Sequence, residues 1–62
     1  MKLLAWTFSG EGFVIYVSQI INGEYAYSRQ LRLAAKISKE EAKRFIDYQK
    51  SIGRCGFWGI AK

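Results

Sequence analysis

The sequence predicts an α+β domain: a small antiparallel sheet of three to four strands with one helix packed on one face, in the order β-β-β-α-β. Three observations predict it. Apolar residues alternate singly near the N-terminus, an Asn-Gly pair separates two strand-like runs, and one capped helical stretch lies near the C-terminus.

Residues 3–9, LLAWTFS, put Leu4, Trp6 and Phe8 on one side and Leu3, Ala5 and Thr7 on the other. That is the period of a strand, and GEG at 10–12 ends it as a turn. Residues 13–21 are apolar on both sides, with Phe13, Ile15 and Val17 alternating with Val14, Tyr16 and Ile20. Such a strand is usually central, with a neighbour at each edge. Asn22 and Gly23 accept the positive φ of a type I′ hairpin turn. The partner run, EYAYSRQL at 24–31, sets Tyr25, Tyr27, Arg29 and Leu31 on one face and Ala26 and Ser28 on the other.

SKEE at 38–41 is a capping box, in which Ser38 and Glu41 satisfy each other's backbone amides. Ala42, Phe45, Ile46, Gln49 and Ile52 then share one helical face, and Gly53 stands where a left-handed stop is wanted. A competing reading runs the helix back to Ser28, because no Gly or Pro intervenes and Leu31, Ala35 and Ser38 extend the same face. Arg32, Lys36, Lys39, Lys43 and Lys50 would then form a basic stripe, so residues 28–37 are either strand and loop or a helix extension. After Gly53, Cys55, Phe57 and Ile60 suit a short terminal strand with Cys55 and Phe57 turned to the core.

Sixty-two residues (1–62) make a single domain, and a chain this short buries only about 60% of its unfolded surface. At 50% hydrophobic and 16% aromatic residues it is too apolar for a disordered tail. One cysteine allows no internal disulfide, which fits a reducing compartment. The apolar run after Lys2 is too short for a signal-peptide core, and the longest apolar stretch, residues 13–21, is far short of a membrane span. The expectation is a cytoplasmic protein, complete as written and not bound to membrane. The net charge of +5 favours acidic partners and argues against a DNA mimic.

The chain has no histidine, so it lacks the commonest general base and zinc ligand, and one cysteine cannot build a structural metal site. Glu40 and Glu41 are adjacent on the helix and point about 100° apart rather than sharing a proton. Cys55 has Arg54 beside it, but no residue supplies the base that Cys–His chemistry needs. No catalytic residue, metal ligand or cofactor is expected.

The run YSRQLRLAAKISKEEAKRFI (27–46) resembles a pattern of small α+β accessory proteins of phages and bacteria, through Leu31, Ala34, Ile37, Ser38, Glu41, Ala42, Phe45 and Ile46. Every matched position is structural. The resemblance implies an accessory role, since some phage products of this size bind and modulate host proteins. The order of elements and the basic charge are also similar to the arm-binding domains of phage integrases, which put a sheet into DNA; this is analogy of fold alone.

The aromatic residues exceed what one thin core holds, so some should lie on the sheet face away from the helix. Tyr25, Tyr27 and Arg29, joined by Trp6 or Phe8, make one candidate patch; the alternative is that their face is the core and Ala26 and Ser28 face solvent. Trp58 is another aromatic free for contact. Arg29, Arg32 and Lys36 are the candidate anion-facing edge. The expected function is a non-enzymatic protein, phage or mobile-element encoded, that binds and modulates or inhibits a host protein. The alternative is nucleic-acid binding through the same sheet face or the basic edge. A sheet edge can also add strands to a partner or a second copy in a homodimer.

Overall fold

The computed structural model describes residues 2–61. It is an α+β fold with four antiparallel strands in the order β3-β2-β1-β4 and one helix against one face. Strand β1 is Leu3–Phe8, β2 is Val14–Ile21, β3 is Glu24–Ser28, α1 is Lys39–Ser51 and β4 is Gly56–Ile60. Among the described residues, no helix is long and apolar enough to cross a membrane.

Local signals build the two hairpins. Asn22 and Gly23 both adopt positive φ, 51° and 80°, as the tight turn between β2 and β3 requires. Ser9 closes the other turn, donating its amide to the Phe13 carbonyl (2.8 Å) while its hydroxyl accepts from the Phe13 amide (3.2 Å).

β1 and β2 pair only from Trp6 to Phe8 against Val14 to Tyr16, and the two strands then splay apart. The segment that precedes the helix fills the gap. Ala35 donates to the Val17 carbonyl, and Leu3 and Ile37 exchange both backbone bonds at 2.8 Å. The helix extension back to Ser28 is therefore excluded. Leu31–Leu33 forms a single 3-10 turn, and Ala34 returns to extended backbone so that Ile37 can reach Leu3 and enter the core. β3 likewise stops at Ser28, short of the Leu31 expected from alternation.

Helix α1 begins as expected, with both halves of the Ser38–Glu41 capping box formed. Ala42, Phe45 and Gln49 are fully buried. Ile52, expected on the same face, is the C-cap residue and stays exposed, because Gly53 (φ 77°) turns the chain away there.

Directly beneath the helix, the covered face of the sheet is graded in size. Gly56 of β4 lies so close under the helix that a Cβ there would stand 3.0 Å from Gln49 Cγ and 3.1 Å from Ile46 Cδ1. Next come Ala5 and Thr7 of β1 and Val17 of β2, all buried. Last are the long Tyr25 and Tyr27 of β3, which reach Phe45 with ring centroids 5.1 and 6.4 Å away. A helix that sits low over one edge of a sheet needs side chains that lengthen toward the other edge to fill the space at interior density.

Two phases differ from the simple alternation. A bulge between Val17 and Gln19 lets Val17 and Ile20 both face the helix, so Ile20 joins the core instead of the opposite side. In β4, pairing of Thr7 with Gly56 and Ala5 with Trp58 turns the even positions toward the helix. Phe57 therefore points to the other face, and Cys55, expected in the core, is an exposed residue ahead of the strand. Its carbonyl accepts a 2.6 Å bond from the buried Thr7 hydroxyl.

A candidate interaction face

The face of the sheet away from α1 carries Leu4, Trp6 and Phe8 from β1, Val14 and Tyr16 from β2, and Phe57 from β4, as the strand registers dictate. Four of its aromatic rings touch in sequence. Trp6 stacks on Phe57 at 6.1 Å with the planes 18° apart, Tyr16 tilts against Trp6 at 6.5 Å, and Phe8 meets Phe57 edge-on at 5.8 Å. Trp6 also spreads over Gly59, where a Cβ would stand 3.2 Å from the indole. The glycine makes room for the ring. Phe8 and Phe57 remain 46% and 40% exposed, so this cluster supports itself yet keeps much of its surface in water.

One end of the face is basic. Ala35 and Ile37 pack into the core, so Lys36 between them points outward. It shares a groove of about 390 Å³ with Leu4, Leu31, Arg32, Ala34, Ile60 and Ala61. Arg32 is steadied there by its Nε, which donates to Gln30 Oε1 at 2.7 Å. The helix, by contrast, intersperses Glu40, Glu41 and Asp47 among its lysines and arginine.

The residues singled out from sequence are divided. Trp6 lies on the open face, whereas Tyr25 and Tyr27 lie on the covered one, so they do not form one patch with Trp6 or Phe8. The two tyrosines line a groove of about 450 Å³ with Gly23, Glu24 and Tyr48, between β3 and the helix. Tyr27 Oη accepts from Gln49 Nε2 at 3.2 Å. Burial pushes both hydroxyls above the ordinary tyrosine range. Of the three expected anion-facing residues, Arg32 and Lys36 come together. Arg29 instead stacks its guanidinium 4.0 Å over the Phe13 ring. Trp58 is half-exposed on the helix side, beside Leu3, Lys39 and Ile60 in a shallow recess.

Sequence reasoning missed Tyr16 and Phe57 as members of the open face. Tyr16 was findable, because the turn at 10–12 sets it opposite Trp6. Phe57 was not, since its phase depends on which β4 residue the helix can tolerate beneath it. Among the described residues, no three His, Cys, Asp or Glu side chains gather as a metal site would need. No protein-family model, no curated protein and no solved structure matches this chain.

Proposed function

We propose that this chain is a non-enzymatic binding protein that attaches to a partner protein through the uncovered sheet face and alters that partner's activity. One observation carries the reading: the contiguous aromatic surface of Trp6, Tyr16, Phe57 and Phe8, which no helix covers among the described residues. Rigid, partly preburied aromatics lose little entropy on docking and are the usual anchors of protein interfaces. The resemblance of residues 27–46 to phage and bacterial accessory proteins supports a host protein as the partner. Affinity capture from nuclease-treated lysate of the source cells tests this. A stoichiometric partner should be retained by the wild type and by Tyr48→Ala on the covered side, and lost with Phe8→Asp or Phe57→Asp. Equal capture by all four proteins overturns the reading.

A second reading has its own support. Arg32 and Lys36 converge beside Leu4, at the end of the face that holds the aromatic stack. Cations next to exposed rings suit single-stranded nucleic acid, through phosphate contacts and base stacking. Binding to an oligonucleotide should then weaken steeply with salt, and Arg32→Ala with Lys36→Ala should flatten that dependence. Absent or salt-insensitive binding rejects it.

A further inference from the structure

Strand β4 forms one edge of the sheet, and the hydrogen bonds around β1 reveal which of its backbone groups are free. Leu3 directs both its N–H and its C=O to Ile37, and Ser9 directs its N–H to Phe13, so odd residues of β1 face the β2 side. The Lys2 carbonyl accepts from Ala61, so even residues face β4. Leu4 with Gly59 and Trp6 with Phe57 are thus the hydrogen-bonded pairs of that ladder. Gly56, Trp58 and Ile60 consequently turn their N–H and C=O groups outward.

This edge lacks two of the usual protections. GFWGI contains no charge and no proline, whereas natural edges are usually blunted by one or the other. Trp58 is 42% and Ile60 63% exposed. The opposite edge, β3, has the same length but begins with Glu24 and lies beside the bulge in β2.

We infer that β4 is a self-pairing edge, whose occupant is β4 of a second copy of this chain. The strand is complementary to itself about Trp58. An antiparallel two-fold pairing centred there places Trp58 opposite Trp58 of the second copy. It also sets Gly56 opposite the second copy's Ile60, and Phe57 opposite its Gly59. Each larger side chain except the central one meets a glycine. Every outward donor then faces an outward acceptor, because the residues whose backbone groups are free, Gly56, Trp58 and Ile60, are also the ones this register makes hydrogen-bonded pairs. Two sheets of four strands become one continuous sheet, and Phe57 of each copy comes beside the Trp6 ring that overlies Gly59 of the other. The two aromatic faces join into one surface. This goes beyond the open-face reading and does not depend on it.

Amide exchange and sedimentation velocity, followed from about 1 μM to about 1 mM protein, the range in which small interfaces associate, test the pairing. The Trp58 and Ile60 amides should become protected tenfold or more as concentration rises, while those of Phe57 and Gly59 are protected throughout. In a mixture of labelled and unlabelled protein, Phe57 Hα should show a contact with Gly59 Hα of the other copy, since that pair is the close, non-hydrogen-bonded one. Salt should strengthen association, because each copy carries +5. Trp58→Lys should abolish it, and the more exposed Ile60→Lys should weaken it with the fold unchanged. A monomer at every concentration overturns the proposal, as does a dimer indifferent to both substitutions. A monomer that still captures a protein partner overturns this pairing alone, and a dimer that captures nothing overturns the open-face reading alone.

Discussion

The two faces of this sheet both carry apolar side chains but use them in opposite ways. On the covered face the residues nearest the helix are small, Gly56, Ala5, Thr7 and Val17, and the last three are essentially inaccessible. On the open face the residues are large, Trp6, Phe8, Tyr16 and Phe57, and Phe8 and Phe57 stand nearly half in water. Side-chain size decides where the helix goes. A helix approaches a sheet only where short side chains let its own residues interdigitate, and the bulky face is left to pack against itself. The covered face therefore supplies stability, and the open face is the one we propose for contact.

The sharpest way to break that division is to empty the covered face. Phe45 is fully buried and touches both Tyr25 and Tyr27. Phe45→Ala should cost about 3–5 kcal/mol, comparable with the whole stability of so small a domain. Urea titration followed by circular dichroism should find the variant largely unfolded without denaturant. Next is the closest approach of helix and sheet. Gly56→Ala puts a methyl group 3.0 Å from Gln49 Cγ and should cost about 1–3 kcal/mol through overpacking. A midpoint unchanged from wild type would show that the helix can lift off β4 without loss, and that the size gradient is not what seats it.

The helix itself was legible from local chemistry. Ser38 and Glu41 form the reciprocal cap that their spacing predicts, and Ser38→Ala should cost about 1 kcal/mol in the same titration. The Asn22-Gly23 hairpin and the alternation of β1 were equally readable, because each depends on neighbours a few residues away. The illegible features depend on distant ones. Nothing near Ser18 announces the bulge that moves Ile20 into the core, nor does anything near Ala35 announce that it will bond Val17. Residues 28–37 look helical until the gap between β1 and β2 is known to need filling. The phase of β4 follows from the helix above Gly56, so alternation alone places Cys55 and Phe57 in the core, one position out of step with the structure. The same error of phase grouped Tyr25 and Tyr27 with Trp6, since no local signal tells which side of β3 faces the helix.

On the open face, substitutions should scarcely move stability while they change contact. Phe8 is 46% exposed and meets Phe57 only edge-on. Phe8→Ser should shift stability by about 1 kcal/mol or less, yet reduce capture of the partner strongly. A variant that lost several kcal/mol would place this ring in the core and dissolve the distinction between the faces.

The smallest expected effect comes from the tyrosines at the far end of the covered face. Burial raises the Tyr25 hydroxyl above its ordinary value, as it does Tyr27, where the Gln49 hydrogen bond offsets only part of the effect. In the unfolded chain both would ionise near their ordinary value of about 10. As pH rises through that value, the unfolded state releases protons before the folded one does, so the folded state binds more protons and stability falls. The contribution is whole below about pH 9 and is lost progressively as the pH climbs through the raised folded values. The Tyr25 ring packs against both Phe45 and Tyr48. Tyr25→Phe keeps that packing and removes the ionisation. Urea titrations at about pH 8 and about pH 11, bracketing the tyrosine range, should therefore show a smaller loss of stability for Tyr25→Phe than for the wild type. Equal losses would mean that the Tyr25 hydroxyl sits in water, and that the helix does not close over β3 as it closes over β1.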